Sequence, residues 1–299
     1  MPSMTMQPNS PHGSTAEWPA AANKQTRWDW RAVANFIGGG TGAGMLLTAT
    51  AMAPSIAVYR LQVSVGLMII ALGLFFIIAK MGRPTRALNT FRQVRSSWMA
   101  REGFAMPTLF GCGALSLVYT DVVGLAVMAT LSALVFVYAQ ARILTEAKGI
   151  PTWFDSWIVP LILSTGLAEG TGLGLLCIIY LVGKFSEPFA GLLFASALLR
   201  YGVWFGYRRN LIRSGAPEEA LATLARFDSA YVVLGLLLPC GLVGAGYLSG
   251  GSFGVAMAAI AAALAMIMGW AMKYVIVVRA GFFLRKSLSL SAAMAKNRM

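Results

Sequence analysis

Two carboxylates in this chain have settings that invite chemistry. Glu169 lies in the apolar run LSTGLAEGTGLGLL, about 12 residues in. At 1.5 Å per residue that is close to the middle of a bilayer. A charge at the centre of a membrane helix costs roughly 2.5–3.5 kcal/mol. Three uses therefore stand open for Glu169: a proton relay, a partner for a buried cation, or a neutral acid hydrogen-bonded to a neighbour. Glu102 directly follows Arg101, where another apolar run begins. It could complement the positive end of a helix. It could also take a proton from a hydroxyl of a lipid-soluble reductant at the membrane edge. Oxidation of a quinol releases two electrons and two protons, so a carboxylate at that edge suits it. Lys80 closes the apolar run before this region. It either snorkels to the surface or faces the same bound molecule, with Arg83 and Trp98 beside it.

Between Lys80 and Glu102 runs KMGRPTRALNTFRQVRSSWMARE, a strongly polar loop in an apolar chain. Arg83, Arg86, Arg92, Arg95 and Arg101 make it a docking surface for the acidic face of a soluble redox partner, since complementary charge fixes register and steers encounter. The expected pocket sits at the edges of this loop, bounded by Lys80, Arg83 and Glu102 and extended by Glu169.

Hydrophobic residues make up 58% of the chain and charged residues 12%, against roughly 25% charged in a soluble domain. That composition belongs to an integral membrane protein. The net charge of +13 does not point to nucleic acid, because the basic residues cluster at the ends of apolar runs. Cys112, Cys177 and Cys240 each lie inside such a run and form no C-x-x-C pair, which reads as buried thiols. No metal, zinc or iron–sulfur site is expected in this chain. Its one histidine, His12, is in the N-terminal tail, so a membrane haem held by two imidazoles is not expected either.

A membrane helix needs about 20 mostly apolar residues. Eight runs qualify: 31–56, 61–80, 102–120, 122–141, 156–180, 185–206, 228–249 and 253–279. The expected fold is all-α, with eight transmembrane helices in two four-helix bundles. A polar, Pro- and Ser-rich tail (1–30), expected to be disordered and without the apolar stretch of a signal peptide, precedes the membrane domain (31–280), and a basic tail (281–299) follows it. Of the 24 Lys and Arg residues, all but Arg60 and Lys184 fall on one side of this layout. The positive-inside rule makes that side cytoplasmic and puts both termini there. Trp18, Trp28, Trp30, Trp98, Trp153 and Trp157 gather near the same side, as an aromatic belt does. Asp155 and Asp228 read as helix-start carboxylates, with a second possible use as cavity-lining groups. The stretch SGAPEEALATLARF within 208–227 reads as a short interfacial helix or a plain connector.

GTGAGMLL (40–47) resembles GTGLGLLC (170–177), and both lie in helices leaving the same side. This is either a parallel repeat of four helices plus four or a chance likeness of two Gly-rich runs. GGGTGAG does not satisfy G-x-G-x-x-G and lies within an apolar helix, so it is no dinucleotide loop. Its small residues admit a neighbouring helix or form a wall against a flat ligand.

Met81-Gly82-Arg83-Pro84-Thr85-Arg86-Ala87, followed by Arg95, Ser97, Trp98, Arg101 and Glu102, resembles the membrane-anchor subunit of dimethyl-sulfoxide-reductase-type enzymes (DmsC), a family related to the NrfD and polysulfide-reductase anchors. Ala147-Lys148-Gly149-Ile150-Pro151-Thr152-Trp153 is similar to that family's I-P-x-W stretch. The opening WDWRAVANFIGGGTGAG looks more like the anchors of phenylacetyl-CoA:acceptor oxidoreductases. The resemblance implies a respiratory-chain subunit of anaerobic electron transport in the inner membrane of a prokaryote. It implies quinone or quinol as an exchangeable substrate, a ferredoxin-like iron–sulfur partner, and a catalytic subunit with a molybdopterin cofactor (bis-MGD with molybdenum or tungsten). Glu102 matches the glutamate that the family associates with quinol binding. Lys80 stands where the family has histidine, and lysine is a poorer proton carrier at neutral pH. A proton path through Glu102 and Glu169 is the accompanying expectation. The competing expectation is a secondary transporter with a midplane acidic site, since such proteins are also built from repeats.

Overall fold

The computed structural model describes residues 23–80 and 97–283. Arg83, Arg86, Arg92, Arg95, His12, Trp18 and most of both tails (1–22 and 284–299) lie outside the described residues. The described chain is all-helical apart from loops and a single bridge between Lys24 and Phe282. It contains α1 (Trp30–Met52), α2 (Ile56–Lys80), α3 (Trp98–Val118), α4 (Val123–Thr145), the one-turn α5 (Pro151–Phe154), α6 (Ile158–Val182), α7 (Glu187–Arg213), α8 (Glu218–Val232), α9 (Leu238–Ser249) and α10 (Gly251–Tyr274). π-helical turns at Val233–Leu237 and Val275–Arg279 join α8 to α9 and extend α10. Six helices among the described residues are long and apolar enough to cross a membrane; α8 and α9 count as one, Glu218–Ser249. This is a multi-pass membrane protein. The long helices α1 and α3 fall short of that measure, because glycines and polar side chains dilute their hydropathy.

Local chemistry sets the helix ends. Asp29 caps α1 by accepting from the Arg31 N–H at 3.1 Å, and Ser97 caps α3 by accepting from the Ala100 N–H at 3.4 Å. Each satisfies an N–H that the first turn leaves unpaired. α6 stops at Gly183, whose φ of 68° is the left-handed conformation that glycine adopts without penalty. Several sequence expectations shift by a turn or more. α3 begins at Trp98, so Glu102 lies a full turn inside it and is not an end charge. The stretch 208–227 holds no separate interfacial helix: α7 runs on to Arg213, and Glu218 starts a helix that continues into the next span. Asp228 therefore sits deep in α8 rather than at a helix start. The Asp155 expectation fits better, since its Oδ1 caps the Trp157 N–H at 2.8 Å.

α1 and α6 form the inner pair. Fifteen residues of each are buried. The α6 window is 72% buried, against 28–44% for the other candidate spans, so the others form the lipid-facing rim. The GTG-containing segments do the packing. A Cβ on Gly166 would lie 2.8 Å from the Gly40 carbonyl, and one on Gly170 would strike the Gly44 backbone. Gly40 with Gly166 and Gly44 with Gly170 follow the same order along both helices, so α1 and α6 run parallel in small-xxx-small contact. Each half repeats one plan: α1 packs on α2 and α4, and α3 on α4; α6 packs on α7 and α10, and α9 on α10. This layout accords with a parallel repeat. Glycines on the remaining faces of α1 admit α2 (Gly38 against Gly73), α4 (Gly39 against Gln140) and α10 (Gly40 against Lys273). Close helix packing accounts for the glycine run.

Candidate functional site

Two buried acidic sites flank α1. The first lies among α1, α2, α3 and α4, where a cavity of about 500 Å³ opens. Phe36, Leu74, Ile78, Met99 and Met106 supply apolar walls. Asn35, Glu102 and Gln140 form a polar end, and Arg27 and Lys80 also line the space. Sequence reasoning placed Lys80 and Glu102 at one pocket, and the structure brings them to one cavity. Trp98 is not among its lining residues. It lies edge-on to Tyr138 at 5.5 Å, with the Arg101 and Arg142 guanidinium carbons 4.0 and 5.1 Å from its ring.

The polar end has a defined sense. Glu102 is 7% exposed. Its Oε1 accepts from Gln140 Nε2 at 3.1 Å and from Asn35 Nδ2 at 3.4 Å. Gln140 Nε2 also donates to the Asn35 backbone carbonyl at 3.0 Å. Turning the Gln140 amide over would point oxygen at two acceptors, so these contacts fix which end is nitrogen. The Oδ1 of Asn35 and the Oε1 of Gln140 are left buried, with no donor among the described residues. Pro107 adds a further acceptor. It lacks the N–H that would bond the Gly103 carbonyl four residues earlier, and Gly103 lines the cavity. A ligand that brings O–H donors to an apolar slot fits this end. Asn35 and Gln140 were missed in the sequence, although each is a lone amide in an apolar run.

Lys80 stands at the membrane end of the cavity with 23% of its side chain exposed. It donates to the Arg27 carbonyl and lies 3.5 Å from Asp29. Partial burial pushes the Asp29 carboxyl up. The hydrogen bonds from Arg31 and the charge of Lys80 outweigh that effect and hold it below its ordinary value of 3.8. Trp28 stacks on Phe36 at 5.7 Å and meets Trp153 at 5.1 Å. Trp153 departs from the aromatic belt: it is 2% exposed and donates to the Ile276 carbonyl at 3.1 Å.

The second acidic site is Glu169, which is fully buried and does not line the first cavity. Its Oε2 lies 2.6 Å from Lys273 Nζ and accepts from Thr41 Oγ1 at 2.8 Å. Lys273 also donates to the Phe36 carbonyl at 3.1 Å, and Trp270 Nε1 to Thr41 Oγ1 at 3.0 Å. Of the three uses left open, the structure supplies a buried cation partner. Lys273 is thus no surface charge, as the sidedness count had it, and neither is Arg200. Arg200 is 1% exposed and donates to the Ala265 and Gly235 carbonyls at 2.7 and 2.6 Å. The Gly235 carbonyl is free for this because Pro239 has no N–H to offer it. The two acidic sites meet along α1, at Asn35 on one side and the neighbouring Phe36 carbonyl on the other.

The segments Asn23–Trp28 and Gly281–Phe283 pair at this end of the bundle, through Gln25 N to Gly281 O and Phe283 N to Asn23 O, both 2.9 Å. No set of three or more His, Cys, Asp or Glu side chains capable of holding a metal occurs among the described residues. In comparisons with known proteins, no family model matches the chain and no curated protein matches it.

Proposed function

We propose that the chain is the quinone-reactive membrane anchor of a multi-subunit oxidoreductase. In this reading all eight long helices span the inner membrane of a prokaryote, with both termini cytoplasmic. The observation that carries it is the apolar cavity in which Lys80 and Glu102 meet, with its acceptor-rich end at Glu102, Asn35 and Gln140. A quinol head donates its hydroxyls to that end, and its isoprenoid tail leaves between Leu74, Ile78 and Met99. Oxidation breaks two O–H bonds. The two protons leave one after the other through Glu102, each passing onward to water at the surface near Lys80. The two electrons pass singly to a docked ferredoxin-like iron–sulfur subunit, which serves a molybdopterin catalytic subunit. The reverse path reduces quinone. The motif resemblance to the DmsC and NrfD anchors, with the opening segment's likeness to phenylacetyl-CoA:acceptor oxidoreductase anchors, supports the choice of partners. The loop arginines Arg83, Arg86, Arg92, Arg95 and Arg101 give such a partner its seat, and Trp98 stands at its edge.

The test is quinol-dependent electron delivery by the purified complex. Glu102→Gln keeps the hydrogen-bonding shape and removes the base, so turnover should fall about 10²-fold or more. Turnover equal to wild type removes Glu102 from the reaction. Co-purification of an iron–sulfur subunit tests the partner independently.

One observation favours a second reading. The Glu169–Lys273 pair lies where the two parallel halves meet, and ion-coupled transporters place acidic sites at such seams. A transporter would purify alone and move solute in vesicles without any electron donor. An anchor would show neither property.

A further inference from the structure

A second cavity, of about 410 Å³, lies between the C-terminal end of α4 and the turn from α5 into α6. It shares no lining residue with the first. The outward stripe of α4 leads into it. Met128, Leu131, Val135 and Tyr138 are 40–53% exposed, and continuing that spacing of three and four reaches Arg142. Trp157 and Phe154, beside the cavity, are 39% and 51% exposed, as interfacial aromatics are. The cavity therefore opens at the depth where acyl chains give way to headgroups.

Its polar groups are of both signs. The Nε of Arg142 is buried and has no hydrogen-bond partner among the described residues. The guanidinium rests 5.1 Å from the Trp98 ring, which positions it without using its donors. Lys148 and Ser156, both exposed, add further donors. Asp155 is occupied, accepting from the Trp157 N–H at 2.8 Å and from Asn210 Nδ2 at 2.7 Å. Glu146 is exposed at the rim. Two cations and two carboxylates leave the cavity with no formal net charge. An anion alone would meet repulsion from the carboxylates, whereas a zwitterion meets a partner at each end.

We propose that this cavity binds the headgroup of a zwitterionic aminophospholipid. The phosphate sits on Arg142, Lys148 and Ser156, the ammonium faces Glu146, and the acyl chains follow the α4 stripe beside Val159. Because α4 belongs to the first half and α6 to the second, the lipid clasps the two halves at one surface.

The test uses the full chain in mild detergent, delipidated and followed by native mass spectrometry. Phosphatidylethanolamine, phosphatidylglycerol and soluble glycerophosphoethanolamine are added in turn. The wild type should retain one phosphatidylethanolamine, about tenfold tighter than phosphatidylglycerol. Arg142→Gln should weaken retention about tenfold, the loss expected for one charge-assisted hydrogen bond. Glu146→Gln should narrow the preference between the two lipids. If Arg142→Gln fails to fold, the exposed Lys148→Gln and Glu146→Gln variants carry the decision. Unchanged retention in folded variants, a preference for phosphatidylglycerol, or displacement by the soluble headgroup at equal concentration would each overturn the proposal.

Discussion

The two halves of the molecule use corresponding positions in opposite ways. In the first half, the space bounded by α1, α2, α3 and α4 is an open cavity. In the second, the matching space beside α6, α7, α8 and α10 is filled. Trp204, Tyr207 and Tyr231 are each no more than 2% exposed, and Trp204 lies 4.9 Å from Tyr231 and 5.8 Å from Tyr207, ring centre to ring centre. Trp204 Nε1 donates to Asp228 at 2.6 Å, and Tyr207 donates its hydroxyl to the Thr152 carbonyl at 2.8 Å. The acids differ in the same way. Glu102 has neutral amides around it and borders empty space, whereas Glu169 is bound to a cation and lines neither of the two cavities described. One plan of helix packing thus gives one half fit to exchange a ligand and one half fit to hold the bundle together.

The sharpest way to break this contrast is to unpair the closed site. Lys273→Met leaves Glu169 buried without its cation and should destabilise the protein by about 3–5 kcal/mol. The double variant Glu169→Gln, Lys273→Met should recover most of that, because neutral groups of similar size need no ion partner. Cys177, on α6 and 8% exposed, supplies a native probe: its rate of thiol labelling against temperature reports opening of the inner helix. If the single and double variants melt alike, the pair is not what holds this half closed.

Trp204→Ala asks whether the second half is closed by its aromatic filling. Truncating a buried Trp costs about 3–5 kcal/mol, and here it also strips Asp228 of its indole donor. The variant should melt earlier and gain a void that a small aromatic such as indole can fill, raising the melting temperature again. No rescue by indole would mean that the helices collapse onto the space.

These contrasts were unevenly legible in the sequence. Hydropathy averages located the long helices, because lipid rewards continuous apolar surface whichever face it is on. The same averaging hid the start of α3, where Trp98–Arg101 forms a polar but helical turn, and the union of α8 with α9. Glu102 and Lys80 stood out as charges beside apolar runs, which is why they were found. Lys273 and Arg200 stood near helix ends in the linear layout and so resembled surface charges. Only the crossing of α6 with α10, and of α7 with the π-helical turn, turns them inward. Asn35 and Gln140 carry no charge, and an uncharged amide barely moves a hydropathy window.

Filling the open half should have a milder effect. Ala32 is 2% exposed and lines the first cavity. Ala32→Leu puts its added methyl groups into existing space, so stability should change by less than about 1 kcal/mol. Affinity for the proposed quinol, read from quenching of Trp28 or by titration of turnover, should fall about tenfold. Destabilisation as large as that of Trp204→Ala would show that the cavity does not persist as open space in the bilayer.

The smallest expected effect concerns the membrane end of the open cavity. Asp29 holds Lys80 at 3.5 Å, and Arg31 at 2.8 Å holds Asp29 in turn. Its carboxyl is kept below the ordinary value of 3.8 chiefly because the Arg31 hydrogen bonds and the Lys80 charge outweigh its partial burial. An acid lowered in the folded state contributes stability above its unfolded value and loses it as pH falls through the folded value. The clamp is therefore intact at neutral pH and releases only below about pH 3.8. Because the carboxylate is a third exposed, salt and solvent screen most of this contribution. Asp29→Asn should leave melting nearly unchanged at pH 7, yet raise the off-rate of the proposed quinol modestly by freeing Lys80. The same variant should abolish any difference in off-rate between pH 7 and the lower pH, below 3.8, at which the wild-type Asp29 takes up its proton. A persisting pH effect in Asp29→Asn would transfer the control of the open half from its rim to Glu102 inside it.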